Sequence, residues 1–300
     1  MRVPYGVYLR QSGVTLLGEW NCCVAEVELD KMGSAFQAIA EPSASVFVNL
    51  CQRCSDMPIQ GMSEKEETEI MKMLLSMLPI LSLCVPVLAS AQNLGDKECH
   101  IALPGITFTR ALNGAADHAK VSDGNLTLSS EAKRDNFRDP DGKLSNNTAP
   151  VLLSQVDNSK PFTLTAKITP TFLKTYDAGT LYIWVKDDLW LKMAMEMDER
   201  GKHRMVSVRT TGTSDDNNHD VITAKSVYMK ISSDTKTVGF YYSLDKKSWQ
   251  LIRLFKNEYP TSLWVGVSAQ SPLGEGTSAL FEDVTLTQQS ISDFRLGQEK

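Results

Sequence analysis

Apolar and polar side chains alternate with a period of two along most of the chain beyond residue 105. With β-branched and aromatic enrichment, this marks strands near 105–110, 125–130, 151–156, 161–169, 180–186 and 189–197. Further strands follow near 204–211, 226–232, 237–243, 249–255, 263–270 and 278–287. Turn signals separate them: Asp123-Gly124, Asp141-Gly142, Glu199-Arg200-Gly201, the run from Leu244 to Lys247, and Pro272-Leu273-Gly274. No amphipathic helix interrupts the series. About a dozen strands in succession predict an all-β two-sheet sandwich or barrel and exclude an α/β fold.

Strand parity divides the faces. On 190–197, Leu191, Met193, Met195 and Met197 share one side; Trp190, Lys192, Ala194 and Glu196 share the other. Leu181, Ile183 and Val185 oppose Tyr182 and Trp184; Val206, Val208 and Thr210 oppose Ser207 and Arg209. Val265, Val267 and Ala269 oppose Trp264, Gly266, Ser268 and Gln270. Several strands thus pair an apolar core side with a side mixing Trp or Tyr with Lys, Arg, Glu and Gln. Such a mixture suits a sugar, with rings on the apolar pyranose faces and fixed polar groups on the hydroxyls. An outer sheet surface with ordinary exposed aromatics is the alternative.

A different pattern occupies residues 71–91, MKMLLSMLPILSLCVPVLASA. One basic residue, an apolar run and Ala89-Ser90-Ala91 form the three regions of a secretory signal peptide, with cleavage expected between Ala91 and Gln92. Pro79, Pro86 and the small-residue end argue against a membrane anchor, so no span is expected in the mature chain. Residues 1–70 are read as an upstream extension, 71–91 as the signal peptide, and 92–300 as the folded domain, secreted, periplasmic or at the cell surface. Cys22-Cys23 lacks the spacer a zinc site would want with Cys51 and Cys54. Beyond position 91 only Cys99 remains, so the core must stabilise the domain without an internal disulfide.

A net charge of −5 and a pI near 5.5 argue against nucleic acid as a partner, since phosphate binding needs a basic face. Asp216, Asn218 and Asp220 have the D-x-N-x-D spacing of a calcium loop, but Val221 and Val227 stand where its Gly and Glu belong. An Asx-rich turn is therefore expected at 212–220, with no cofactor. Glu196 and Asp198 are i and i+2 on one strand face, about 7 Å apart. That suits the two carboxylates of a glycosidase, but a solvated strand-end role for Asp198, beside the turn at Glu199-Arg200-Gly201, is the preferred reading.

The segment Tyr176–Asp198, then Ser207–Asp216, resembles the regulation-of-enolase protein family of the concanavalin A-like superfamily. The matching residues are Tyr176-Asp177, Trp190-Leu191-Lys192, Glu196, Val208 with Thr210, and Ser214-Asp215. Tyr242-Ser243-Leu244-Asp245 with Trp249, and Val265-Gly266-Val267 with Ser271-Pro272, extend the match over about 105–287. The small pair is displaced to Gly179-Thr180, Asp216 replaces a usual Trp, and Lys246 replaces the hairpin Gly. The resemblance implies a concanavalin A-like jelly-roll sandwich of two antiparallel sheets, one concave, and does not by itself imply catalysis. It adds Tyr176, Asp177 and Asp215 to the candidate ligand face of Trp184, Trp190, Lys192, Glu196 and Arg209.

Three functions are compatible with the sequence: an exported glycan-binding or glycan-sensing module; a glycoside hydrolase or polysaccharide lyase with Glu196 as acid/base; and a non-catalytic protein-interaction sandwich. Trp184 and Trp190 are expected to present open stacking surface, and Lys192 to be partly exposed.

Overall fold

The computed structural model describes residues 94–298, together with the backbone of four short strands nearer the N-terminus. The segment 71–91, its cleavage point and the side chains of Cys22, Cys23, Cys51 and Cys54 lie outside the described residues. The chain divides into two compact units, Met1–Leu88 and Ala89–Lys300. The first contains β1 (Tyr8–Gln11), β2 (Val14–Thr15), β3 (Cys23–Glu28) and β4 (Gln37–Ala40) in one sheet of order β2-β1-β3-β4.

The second unit is built from strands; among the described residues there is no helix. They are β5 (Asp96–Leu103), β6 (Ile106–Leu112), β7 (Ala119–Ser122), β8 (Asn125–Glu131), β9 (Asn136–Arg138), β10 (Ser145–Asn147), β11 (Val151–Asp157) and β12 (Phe162–Pro170). There follow β13 (Ala178–Lys186), β14 (Leu189–Met197), β15 (His203–Thr211), β16 (Thr213–Val221) and β17 (Val227–Ser233). The last are β18 (Thr237–Ser243), β19 (Gln250–Lys256), β20 (Ser262–Gln270) and β21 (Gly276–Thr287). An eight-stranded sheet runs β16-β15-β14-β13-β20-β11-β6-β5, and a seven-stranded sheet runs β19-β18-β17-β12-β21-β8-β7. Every pairing within the two is antiparallel. This is the expected jelly-roll sandwich.

The main core lies between the sheets. Leu181, Ile183, Leu191, Met193, Met195, Val265 and Val267 face Leu164, Ile168, Met229, Ile231, Phe240 and Phe281. Each large apolar side chain buried there stabilises the fold by about 1.5–3 kcal/mol. Gly179 lies at a tight contact between the sheets: a Cβ there would stand 2.6 Å from Ile168 Cγ2 and 3.0 Å from Ala279 Cβ. Met193 and its neighbours sit on the core face that parity assigned them.

A second apolar cluster lies on the outer face of the eight-stranded sheet. It contains Val151, Leu153, Tyr182, Trp184, Trp190, Ala194, Val206 and Val208. The short β9–β10 hairpin packs over it. Arg138 N–H donates to Ser214 Oγ (3.0 Å), Asn147 Nδ2 to the Asp187 carbonyl (2.8 Å), and Lys192 Nζ to the Asn136 carbonyl (2.8 Å). On the opposite side of the sandwich, the tail after β21 covers the outer face of the seven-stranded sheet. There Thr163 Oγ1 donates to the Gln289 carbonyl and Tyr241 Oη to that of Phe294, each at 2.7 Å.

The turn expected at 212–220 is instead strand β16. Its polar sequence reads as a loop, but as an edge strand it pairs on one side only and leaves most side chains in water.

Candidate functional site

Cross-strand register sets which residues meet on the outer face. Lys192 lies opposite Tyr182 and Val208, Val208 opposite Asp216, and Glu196 opposite Ala178 and Arg204. Tyr182, Lys192, Glu196 and Asp216 therefore share one face. Arg209 and Asp215 do not. Arg209 pairs with Leu191 and Asp215, which puts both on the inter-sheet side. The expectation had the β15 faces inverted: Val206 and Val208 are buried under the outer cluster, and Asp216 rather than Asp215 is the acid that joins the Lys192 face.

The aromatic residues are a further correction. Trp190 is 0% exposed and Trp184 4%, so neither presents an open stacking surface. Their rings stack nearly parallel (2°) with centroids 6.3 Å apart, and Trp190 Nε1 donates to the Asp187 carbonyl at 3.3 Å. The covering hairpin turns the platform into a core. Arg110 lies 5.1 Å over the half-buried Trp264, farther along the same face.

Lys192 is buried, not partly exposed. Its ammonium donates to the Asn136 carbonyl (2.8 Å) and to Gln270 Oε1 (3.1 Å), and pairs with Asp135 at 3.5 Å. Gln270 Nε2 in turn donates to Asp135 Oδ1 (2.9 Å) and to Tyr182 Oη (3.3 Å). Burial pulls the Lys192 pKa down, but Asp135, Tyr182, Glu196 and Asp216 outweigh it and raise it, so the ammonium stays charged. The Tyr182 hydroxyl is pushed up to about 12, chiefly by burial.

Glu196 is different. It is half-buried at the end of β14 and makes no side-chain hydrogen bond or ion pair among the described residues. Desolvation pushes its carboxyl up to about 8; Lys192 opposes the shift, while Asp135, Asp216 and Glu199 add to it. Asp216 is exposed, and its carboxyl is raised by loss of hydration and by Asp135, against the pull of Lys192.

Tyr176 completes the open end. It is half-buried, and burial raises its hydroxyl first, then the charges of Glu199, Glu196, Asp216 and Asp198. Its backbone is left-handed (φ 69°), a costly conformation for a bulky residue. Asp177 braces it from a fully buried position. One carboxylate oxygen accepts from the Leu173 and Lys174 N–H groups (2.9 and 2.8 Å), the other from Ser271 Oγ (2.9 Å). The Asp177 side chain holds the loop and does not face the open end.

Asp198 is neither solvated nor available. It is 1% exposed, pairs with Arg204 at 2.7 Å, and accepts from the Arg200 and Lys202 N–H groups (2.9 and 2.7 Å). Burial raises its carboxyl, but these bonds together bring it below the usual range. The calcium spacing does not converge either: Asp220 accepts from Tyr242 Oη (2.8 Å), and Asp216 faces the Lys192 side. Among the described residues no group of three or more His, Cys, Asp and Glu stands close enough to hold a metal ion.

Sequence reasoning missed Asp135 and Asn136, and placed Gln270 on the polar face without counting it as a site residue. Gln270 was legible from β20 parity; Asp135 and Asn136 arrive through a crossing segment that no local period reveals. What the face offers is one partnerless carboxyl, an exposed carboxyl and a tyrosine at one end, resting on a fixed ammonium–amide network.

The chain is similar to known proteins. The Saccharomyces cerevisiae protein named Regulation of enolase protein 1 is 26% identical over 167 residues, 55% of this chain and 82% of that protein. A crystal structure described as a functionally unknown protein from Saccharomyces cerevisiae superposes with a TM-score of 0.55 at 24% identity, covering 59% of this chain and 95% of that one. The GH43 BlXynB protein from Bacillus licheniformis gives a TM-score of 0.48 at 15% identity, covering 61% of this chain and 36% of that one. Residues 112–289 match the family model described as "Protein of unknown function (DUF1349)", and with that span over half its length the chain belongs to this family.

Proposed function

We propose that the chain is an exported carbohydrate-binding β-sandwich protein, with its binding site at the Glu196 end of the outer face of the eight-stranded sheet. The observation that carries this is Glu196, a half-buried carboxyl for which the fold supplies no partner. The Glu196 oxygens keep contact with water but make no protein bond, and a sugar hydroxyl is a ligand group that can take the place of that water. Tyr176 and Asp216 add an aromatic ring and a second acceptor beside it. Lys192 is committed to protein acceptors and acts as a fixed positive charge beneath the site. Export rests on the targeting pattern at 71–91.

A second reading, glycoside hydrolysis, is favoured by one property of the same residue. A carboxyl raised to about 8 keeps its proton at neutral pH, as a general acid requires. A glycan array probed with the full chain, followed by a reducing-sugar assay on each glycan bound, separates the two. Binding without turnover supports the binding protein, release of sugar over hours supports the hydrolase, and no binding to any glycan rejects both.

A further inference from the structure

Arg209 and Asp215, removed by register from the Lys192 face, lie on the inner side of the sandwich edge where β15 and β16 approach β19. Arg253 of β19 crosses this gap. Its guanidinium donates to Asp215 Oδ2 at 3.0 Å, to the Asp215 carbonyl at 3.3 Å and to Ser207 Oγ at 3.4 Å. Ser207, fully buried on β15, is also 2.8 Å from His219 Nε2. His219 is the half-buried member of a run of exposed residues on β16. One serine oxygen thus joins the edge strand β16, its neighbour β15 and the edge strand β19 of the other sheet.

The junction is built for a neutral imidazole. Arg253 already donates to Ser207 Oγ, so the serine has its own proton to give, and a neutral Nε2 accepts it. A protonated Nε2 has no lone pair. It would become a second cationic donor on the same oxygen, beside Arg253, and would strip the buried Ser207 proton of its acceptor. The other charged or titratable groups around His219 do not offset this. From β15, Arg204 donates to the His219 carbonyl at 3.0 Å and is itself paired with Asp198 at 2.7 Å, while Arg209 lies farther along, opposite Asp215. From β9, Arg138 Nε reaches the Gly212 carbonyl at the far end of the strand, at 2.7 Å. On β16 itself, Asp215 is held by Arg253, and Asp220 accepts from Tyr242 Oη of β18 at 2.8 Å. Burial holds the imidazole below its ordinary value, Arg253 adds to that, and Asp220 pulls the other way without cancelling it.

We propose that His219 is an acid release for β16: its protonation breaks the serine junction and frees the edge strand from the sandwich. The strand matters because its other face carries Asp216, opposite Val208, on the Lys192 side where the candidate binding site lies. Ligand affinity there should fall on acidification. That consequence rests on the binding reading of the Glu196 end; the release itself does not, and it is measured without ligand. Its sign follows from linkage. The folded imidazole is the weaker base, so the released strand binds the proton more readily. The junction's contribution is complete above the ordinary histidine value of about 6.5 and is lost as pH falls through the lower folded value.

The test is amide hydrogen exchange of β16 in the full chain between about pH 7.5 and pH 5, each rate divided by the intrinsic rate at that pH. Carboxyls titrate in the same range, so the comparison is with His219→Gln, whose amide can hold Ser207 and has no proton to gain. Across that range, protection of β16 should fall at least about threefold in the wild type and stay level in the variant, with interior strand β12 level in both. Unchanged protection in the wild type, the same fall in His219→Gln, or an equal fall in β12 overturns the proposal. If the variant does not fold, the His219 ring resonance is followed in the wild type. A titration midpoint below about 6.5 that coincides with the loss of β16 protection supports the release. A midpoint at or above that value, or one that leaves β16 protected, overturns it.

Discussion

Glu196 of β14 lies directly opposite Arg204 of β15, yet the two do not pair. Arg204 turns instead to Asp198, with Nε and a terminal nitrogen at 2.8 and 2.7 Å from the same carboxylate oxygen, and to the His219 carbonyl at 3.0 Å. Asp198 wins because it is already positioned by the turn it caps, whose Arg200 and Lys202 N–H groups it accepts. The cross-strand carboxyl is left facing the open end of the sheet. A structural bond made two residues away creates the free group on which the functional proposal rests.

Glu196 should therefore make stability fall with pH. Its folded pKa, near 8, stands above the unfolded carboxyl value, so the folded state binds the extra proton. Its contribution is complete below about pH 4.5 and is lost as pH rises towards and through 8. Glu196→Gln should match the wild type near pH 4 and exceed it by about 2–4 kcal/mol at pH 9 in urea unfolding. A constant difference between the two proteins across that range would show that the carboxyl titrates normally.

Lys192 and Met193 are neighbours on opposite faces, and both are buried. Met193→Asp puts a charge between the sheets and should prevent folding or cost several kcal/mol. Lys192→Ala strands Asp135 and should cost about 3–5 kcal/mol. Denaturant titration of both variants checks this; a Lys192→Ala loss under about 1 kcal/mol would mean that the ammonium is solvated.

Trp190→Ala should act on the fold. Removing a fully buried indole from the outer cluster should cost about 3–5 kcal/mol of stability. An unchanged thermal transition would mean that the β9–β10 hairpin does not cover the ring in solution.

Gly179→Ala should overpack a tight contact between the two sheets. The new methyl would meet Ile168 Cγ2 at 2.6 Å, and a loss of about 1–3 kcal/mol is expected by calorimetry. An unchanged or raised midpoint would show that the sheets separate there freely.

The interior strands were legible because the face each turns to the partner sheet is apolar throughout: the Leu-Met-Met face of β14 and the Val-Val-Ala face of β20 spell out the core directly. Edge strands were legible only in part: β19 was found, whereas β7 and β16, which pair on one side and are largely polar, show no core face, and β5 shows one only in Cys99, Ile101 and Leu103. Parity grouped Ser207 with Arg209 correctly, but which side of β15 faces the partner sheet depends on its register with β14. That single choice moved Arg209 and Asp215 to one site and Asp216 to another. Burial of Trp184 and Trp190 was beyond reach for a different reason. It depends on a hairpin near residue 140 folding onto strands some fifty residues later, and no local pattern encodes that contact. Glu196 was found through strand parity and Tyr176 through the family pattern, and their place at the open end follows from the Asp177 brace and the Arg204–Asp198 pair.

Isothermal titration of the full chain and of Glu196→Gln, with the strongest glycan from the array, tests the binding proposal most directly. The wild type should bind, and the variant should lose at least about tenfold in affinity, or about 1.4 kcal/mol, while its thermal transition stays cooperative. Equal affinity in the two proteins, with the variant folded, would contradict a binding site at Glu196.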